Sequence, residues 1–90
     1  MGGRVPALAP QGTVTAAEAI LALLGERAEG ATICPSEAAR LLAGPQGDWR
    51  QEMAAVHAAT DLLLEEGTIA LSWKGEPKQK RRGPYRIARR

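Results

Sequence analysis

The chain has 90 residues, and 17 of its 40 apolar residues are alanine, so only 23 larger apolar side chains can build a core. So small a core excludes an enclosed substrate cavity of about 300–1,000 Å³, and one cysteine with one histidine excludes a disulfide and a metal cluster of these residues. The net charge of +2 conceals an asymmetry, since residues 74–90 carry +7 and residues 1–73 carry −5.

The first predicted element is a helix that begins at Thr15, after a flexible tail predicted for residues 1–14 from their glycines and prolines. Thr15 and Glu18 have the spacing of a capping box. The pattern predicts that the helix stops at Gly30. Its apolar stripe is Ile20, Leu23 and Leu24.

A short extended segment at residues 31–33 separates the first helix from a second one that begins at Pro35. Proline favours the first helical position because its missing N–H is not needed there. Gly44 and Pro45 end this helix. Its predicted apolar face is Ala38, Leu41 and Leu42.

The third helix is predicted to begin after Asp48 as the N-cap, with Gln51 in the capping-box position, and to stop at Gly67. At 100° per residue, six residues share the buried side: Glu52, Ala55, Val56, Ala59, Leu62 and Leu63. Four residues form the opposite, exposed stripe: Arg50, Ala54, His57 and Asp61. Trp49 is expected to pack toward the second helix.

The period then changes to two, which indicates strands. A strand is predicted over residues 68–74, with Ile69, Leu71 and Trp73 facing the core. A second strand is predicted over residues 85–88. Between them lies a loop rich in turn residues and cations, and the two strands are expected to pair as a hairpin.

This order of elements is that of a winged helix-turn-helix domain, in which a small sheet covers a three-helix core. The chain also resembles a small bacterial winged-helix family catalogued as a domain of unknown function. The segments that carry this resemblance are residues 31–40, with the run Thr-Ile-Cys-Pro-Ser-Glu, and residues 48–50, 66–69 and 82–87. The resemblance covers residues 15–88 and implies an α+β winged-helix domain, three helices closed by a small antiparallel sheet with a basic wing. It implies no activity.

The cations of the predicted wing point to nucleic acid, because wing lysines and arginines neutralise phosphates in DNA-binding proteins of this fold. The predicted phosphate contacts are Lys78, Lys80, Arg81, Arg82 and Arg86. The predicted base contacts on the third helix are Arg50, Gln51 and His57. We therefore predict a non-enzymatic module that binds double-stranded DNA, without catalytic residues, cofactor or metal.

One alternative remains open, a protein–protein interaction module without direct DNA binding, which the acidic helices and the sparse third-helix stripe favour. An oligomer would have to use the first helix or the N-terminal tail. The longest apolar run is six residues, 19–24, so we predict no membrane partner. The single cysteine is typical of the reducing cytoplasm.

Overall fold

The computed structural model describes residues 15–90 as three helices and a four-stranded antiparallel sheet, which confirms the α+β class. The tail predicted at residues 1–14 lies outside the described residues. In chain order the elements are α1 (Ala16–Glu26), β1 (Thr32–Ile33), α2 (Pro35–Ala43), α3 (Trp49–Glu66), β2 (Ile69–Trp73), β3 (Glu76–Lys78) and β4 (Arg86–Arg89). No helix among residues 15–90 is long and apolar enough to cross a membrane.

The core lies between the helices and one face of the sheet. The strands follow the order β1-β4-β2-β3, and Ile87 of β4 is paired with Ile33 on one side and Leu71 on the other. Eight residues with larger aliphatic side chains are buried in this core together with Tyr85: Ile20, Leu24, Ile33, Val56, Leu63, Ile69, Leu71 and Ile87. Alanines of α1 and α2 fill the narrow places between helices.

Helix α1 begins as predicted but ends earlier. The Thr15 N–H donates to Glu18 Oε1 at 2.8 Å and the Glu18 N–H donates to Thr15 Oγ1 at 3.1 Å, which confirms the capping box. The helix ends at Glu26 and not near Gly30, because Arg27 takes an extended conformation. In that position the Arg27 guanidinium forms an ion pair with Glu37 of α2.

Helix α2 starts at Pro35 as predicted, and Glu37 caps it by accepting a hydrogen bond from the Cys34 N–H at 2.9 Å. Its apolar face is rotated from the predicted one. Ala38 is buried as expected, but Ala39 is buried as well and Leu41 is 49% exposed. Two small alanines face the core because α1 and α3 pack closely against this helix.

The turn from α2 to α3 depends on a glycine. Gly44 caps α2 with a φ of +77°, and the Gly47 N–H donates to the Gly44 carbonyl at 3.3 Å. A Cβ atom on Gly47 would overlap the Ala43 carbonyl oxygen and lie 2.8 Å from the carbonyl carbon. Backbone atoms cannot move away as a flexible side chain would, so the turn requires glycine at this position.

We therefore expect Gly47→Ala to destabilise the protein by about 1–3 kcal/mol, the usual cost of overpacking. The matched control is Gly25→Ala in α1, where a Cβ meets nothing within 4 Å. That control should stabilise the protein by about 0.5–1 kcal/mol, because alanine is the better helix former. Urea unfolding of both variants measures the difference, and equal effects would contradict the tight turn.

Helix α3 has the predicted N-cap, but its buried face is rotated. Asp48 Oδ1 accepts from the Arg50 N–H at 3.1 Å, and Gln51 completes no capping box. Thr60 is fully buried, whereas Leu62 is 52% exposed. Thr60 can lie in the core because its hydroxyl donates to the Val56 carbonyl at 2.7 Å.

The predicted pairing of the strands at residues 68–74 and 85–88 is confirmed by β2 and β4, which pair from Ile69↔Arg89 to Ser72↔Arg86. Part of the predicted loop is a third strand, since β3 pairs with β2 across a turn at Lys74 and Gly75. Both turn residues have positive φ, +52° and +83°, as a two-residue hairpin turn requires.

Trp73 was predicted in the core and is 37% exposed. It shares a strand face with Ile69 and Leu71, but it lies two residues beyond Leu71, the last buried residue of β2. The alternating pattern correctly predicted the strand face on which Trp73 lies. Trp73 is exposed because the core does not extend as far as the end of β2.

Candidate nucleic-acid interface

The basic loop, which we define as residues 79–85, is attached to α3 by an ion pair. Arg81 Nε donates to Asp61 Oδ1 at 2.9 Å and Arg81 Nη2 donates to Asp61 Oδ2 at 3.0 Å. This bidentate hydrogen bonding lowers the pKa of the Asp61 carboxyl below its usual value. Asp61 was predicted on the exposed stripe of α3, so the basic loop lies beside that stripe.

Lys78 fixes the loop from within. Its Nζ donates to the Pro84 carbonyl at 2.9 Å and also to the Arg82 carbonyl. The lysine at the end of β3 therefore ties together the two ends of the basic loop. The residue is half-buried, and its ammonium group already donates to two protein oxygens.

Two predicted phosphate contacts remain accessible. Lys80 and Arg82 are exposed, and within residues 15–90 their side chains make no hydrogen bond or ion pair. Lys78 and Arg81 hold the loop in place, whereas Lys80 and Arg82 extend from it. The loop cations therefore divide into a pair that fixes the backbone and a pair that is open to an anion.

Arg86, the fifth predicted phosphate contact, is engaged at the sheet. Its Nε donates to Thr32 Oγ1 at 2.6 Å and its Nη2 contacts the Thr32 carbonyl oxygen at 3.4 Å. The guanidinium thus joins β4 to the edge strand β1 and is half-buried.

His57 was predicted on an exposed stripe, and the structure corrects this. Its Nδ1 lies 2.7 Å from the Tyr85 hydroxyl, and the imidazole is half-buried against the tyrosine ring. Tyr85 is 4% exposed, and its hydroxyl is also 3.5 Å from Thr60 Oγ1. The end of the basic loop brings Tyr85 against α3 and so covers a position that helical periodicity alone leaves open.

This burial makes the stability depend on pH. Desolvation, and then the charge of Arg81, lower the pKa of His57 from 6.5, while Asp61 opposes them. The unfolded chain therefore binds the proton at a higher pH than the folded chain does. Stability should be complete above pH 6.5 and should fall as the pH drops from 6.5 toward the folded pKa.

We expect a lower urea midpoint at about pH 5.5 than at about pH 7.5, and His57→Gln should reduce this difference. The chain has one histidine, so no other side chain has its ordinary pKa in this interval. A midpoint that rises on acidification, or a variant with the same pH dependence as wild type, would contradict the account.

The predicted base contacts at the start of α3 differ in their surroundings. The Arg50 guanidinium carbon lies 4.7 Å from the centroid of the Trp49 ring, and the Arg40 carbon lies at the same distance from it. Trp49 thus contacts α2 as predicted. Gln51 is exposed, and its side chain makes no hydrogen bond within the described residues 15–90.

Arg50 and Asp61 mark the two ends of one exposed stripe. They are eleven positions apart, which corresponds to about 16 Å along a helix. Ala54 lies between them, so a groove could approach the helix closely there. The basic loop stands at the Asp61 end and the two stacked arginines stand at the Arg50 end. The stripe thus has accessible positive charge at both ends.

Sequence reasoning missed one contact at this surface and, elsewhere in the sheet, the tip of the β2–β3 hairpin. Arg40 reaches the Trp49 ring from α2, and no local pattern indicated that contact. Trp73 and Lys74 are exposed at the tip of the β2–β3 hairpin. A Lys-Gly pair between two alternating segments was the signal that could have predicted this tip.

Comparison with known families gives a match over most of the chain. The family described as "Protein of unknown function (DUF3253)" matches residues 14–90. This agrees with the predicted resemblance to a domain of unknown function. No curated protein matches the chain.

Proposed function

The chain belongs to the DUF3253 family, a family of unknown function, and we propose that it is a winged-helix module that binds double-stranded DNA without catalysis. In this proposal α3 enters the major groove and the basic loop lies along the phosphate backbone. The protein acts in the bacterial cytoplasm, without cofactor or metal.

The observation that carries the proposal is the attachment of the basic loop to α3. The Arg81–Asp61 ion pair places the loop beside the exposed stripe, and Lys80 and Arg82 remain available for phosphates. A helix that can enter a groove and cations that can bind the adjoining backbone are thus held in one relative position. This juxtaposition is what groove binding requires.

The arrangement of elements supports the winged-helix interpretation. Helix α2, a short turn with two glycines and helix α3 follow one another as in a helix-turn-helix. The antiparallel strands β2 and β4 follow α3, and the segment between them corresponds to a wing. In that fold the second helix of the pair is the recognition helix, which here is α3.

The five proposed phosphate contacts differ in how many side-chain N–H donors are still free to bind a phosphate. In Lys80 and Arg82 all of these donors are free within the described residues 15–90. Arg81 and Arg86 each use two of the five guanidinium N–H donors, and Lys78 uses two of three, so each can still donate to a phosphate. Lys80 and Arg82 therefore contribute most to binding, and the other three contribute less.

Arg50, Gln51 and His57 are the proposed base contacts. Arginine recognises guanine and glutamine recognises adenine through two hydrogen bonds each. The Nδ1 atom of His57 faces Tyr85, so Nε2 would meet the base. Replacing Arg50 and Gln51 by alanine should cost about 1–3 kcal/mol for each good base contact on a preferred site, with little effect on other sequences.

A sequence-selection experiment measures this effect. Duplexes enriched by the wild-type protein from a random library are compared with scrambled duplexes, using the wild-type protein and each alanine variant. An equal loss on both duplexes would mean that these side chains bind the backbone and do not read bases.

The proposal itself is tested by titrating the ¹⁵N-labelled protein with a short duplex. Amide shifts should change most at residues 49–61 and in the basic loop, and least in α1. Shifts confined to α1, or no shifts at low salt, would exclude this mode of DNA binding.

A protein partner is the second candidate function. The exposed Leu41 supports it, since a large apolar side chain on α2 contributes nothing to phosphate contact and suits an apolar side chain of a partner.

A further inference from the structure

An open depression of about 440 Å³ lies between the end of α2 and the start of α3. Its bottom and walls are mostly apolar, and Leu41 at its side is 49% exposed. The residues that line it are Arg40, Leu41, Gly44, Pro45, Gly47 and Trp49. Two of the six are glycines, which leaves room for a side chain from outside.

Positive charge lies at the edge of the depression, since Arg40 lines it and Arg50 contacts the ring of the lining residue Trp49. The guanidinium carbons of Arg40 and Arg50 both lie 4.7 Å from the centroid of the Trp49 ring, so they lie within twice that distance of each other. Among residues 15–90 neither arginine has a carboxylate within 4.0 Å; the ion pairs there are Arg27–Glu37 and Arg81–Asp61. Two neighbouring cations without a counter-charge attract an anionic group.

The site is held rigidly. Gly47 permits the close approach to the Ala43 carbonyl that closes the turn, and Asp48 caps α3 directly after it. Trp49 packs against the core with part of its ring and faces the depression with another part. A preformed depression costs less to order on binding than a flexible surface does.

We propose that this depression binds a segment of a partner protein in which one or more carboxylates stand next to a large apolar side chain. The apolar side chain enters between Leu41, Pro45 and Trp49, and the carboxylates bind the guanidiniums of Arg40 and Arg50. Both halves of this chemistry are needed. A phosphate backbone offers no apolar group to pack against the apolar wall. An uncharged apolar segment offers no carboxylate to bind the two arginines.

Arg50 belongs to both proposed sites. A bound acidic segment would occupy the arginine that we assign to base contact, so partner and DNA should compete for the start of α3. The depression does not require DNA binding, however, and each proposal can fail without the other.

The test is selection from a random peptide library displayed on phage, with the full chain immobilised as the target. Peptides enriched over an unrelated carrier protein are synthesised, and their affinities are measured by fluorescence anisotropy. We expect the enriched sequences to combine aspartate or glutamate with leucine, isoleucine, phenylalanine or tryptophan. We expect Leu41→Glu to weaken their binding at least about tenfold, since it removes apolar contact and repels carboxylates.

Leu62→Glu is the matched control. Leu62 is 52% exposed on α3, so the same substitution is made at a similarly exposed leucine outside the depression. Its affinity for the peptides should stay within about twofold of wild type, and circular dichroism should show both variants folded.

Three results would overturn the proposal: no enrichment over the carrier, enriched peptides without acidic residues, or peptides that bind Leu41→Glu as tightly as wild type. A fourth would reassign the site, namely loss of duplex DNA binding in Leu41→Glu without any enriched peptide. The depression would then be part of a nucleic-acid surface.

Discussion

Replacing Lys80 and Arg82 together by alanine should lower the salt dependence of DNA binding without lowering the stability of the fold. Each phosphate contact contributes about 0.9 to the slope of log K against log salt concentration, so the loss of two should reduce that slope by about 1.8. Both side chains are exposed, and neither makes a hydrogen bond within residues 15–90. Their removal therefore leaves the Arg81–Asp61 ion pair and the Lys78 contacts in place.

The matched control is the double replacement of Arg89 and Arg90 by alanine. It removes the same amount of charge, again from exposed side chains. These arginines lie at the end of β4 away from the basic loop, where Arg89 is paired with Ile69. The slope for this control should stay close to that of wild type. If both double variants reduce the slope equally, binding responds to net charge alone, and the basic loop has no special role.

The largest effect on stability should come from Ile87→Ala. Ile87 is fully buried and is paired with Ile33 and Leu71, so it joins three strands at the centre of the core. Truncating a buried isoleucine costs about 2–5 kcal/mol, and a chain of this size has a free energy of unfolding of about 5–15 kcal/mol. We expect a large fall in the urea midpoint, with partial unfolding at 37 °C.

Arg89→Ala, two residues further along the same strand and exposed, is its control and should change stability by no more than about 0.5 kcal/mol. A small effect of Ile87→Ala would mean that β4 does not pair in the register described here. Loss of the same stability in both variants would mean that the strand itself, and not its buried side chain, is sensitive.

The boundaries of the helices were predictable wherever the boundary residue starts or ends the helix through its own conformation or through its immediate neighbours in the sequence. Thr15 and Asp48 accept hydrogen bonds from the first turn of their helices, Pro35 starts a helix where no N–H is needed, and Gly67 ends one in the left-handed conformation. Each lies at the boundary that the sequence predicts. Gly30 shows the limit of this reasoning. It has positive φ as a helix cap would, but a helix cannot be traced back to it through the extended residue Arg27.

Burial was less predictable, because it depends on what packs against an element. Thr60 resembles a surface residue until its hydroxyl is seen to bind the Val56 carbonyl, and Leu62 resembles a core residue although it is 52% exposed. With 17 alanines in the chain, many faces of the helices are similarly apolar. A helical period in such a sequence fixes the helix but does not fix its rotation.

The same distinction applies to the candidate interface. Composition predicted which cations lie in the segment between β2 and β4. It could not predict that Arg81 meets Asp61 twenty positions earlier, or that Tyr85 meets His57 twenty-eight positions earlier. These contacts depend on the return of the chain to α3, and they separate the cations that hold the loop from those that remain open.

The central claim, that α3 and the basic loop together bind double-stranded DNA, is tested most directly by one salt titration. A fluorescently labelled duplex of mixed sequence is titrated with wild-type protein at salt concentrations from about 20 to 300 mM, and anisotropy gives the affinity at each. We expect log K to fall linearly with log salt concentration. Lys80 and Arg82 alone should contribute about −1.8 to the slope, so the measured slope should be that steep or steeper. The absence of any binding at the lowest salt concentration, where attraction to phosphate is strongest, would contradict the claim.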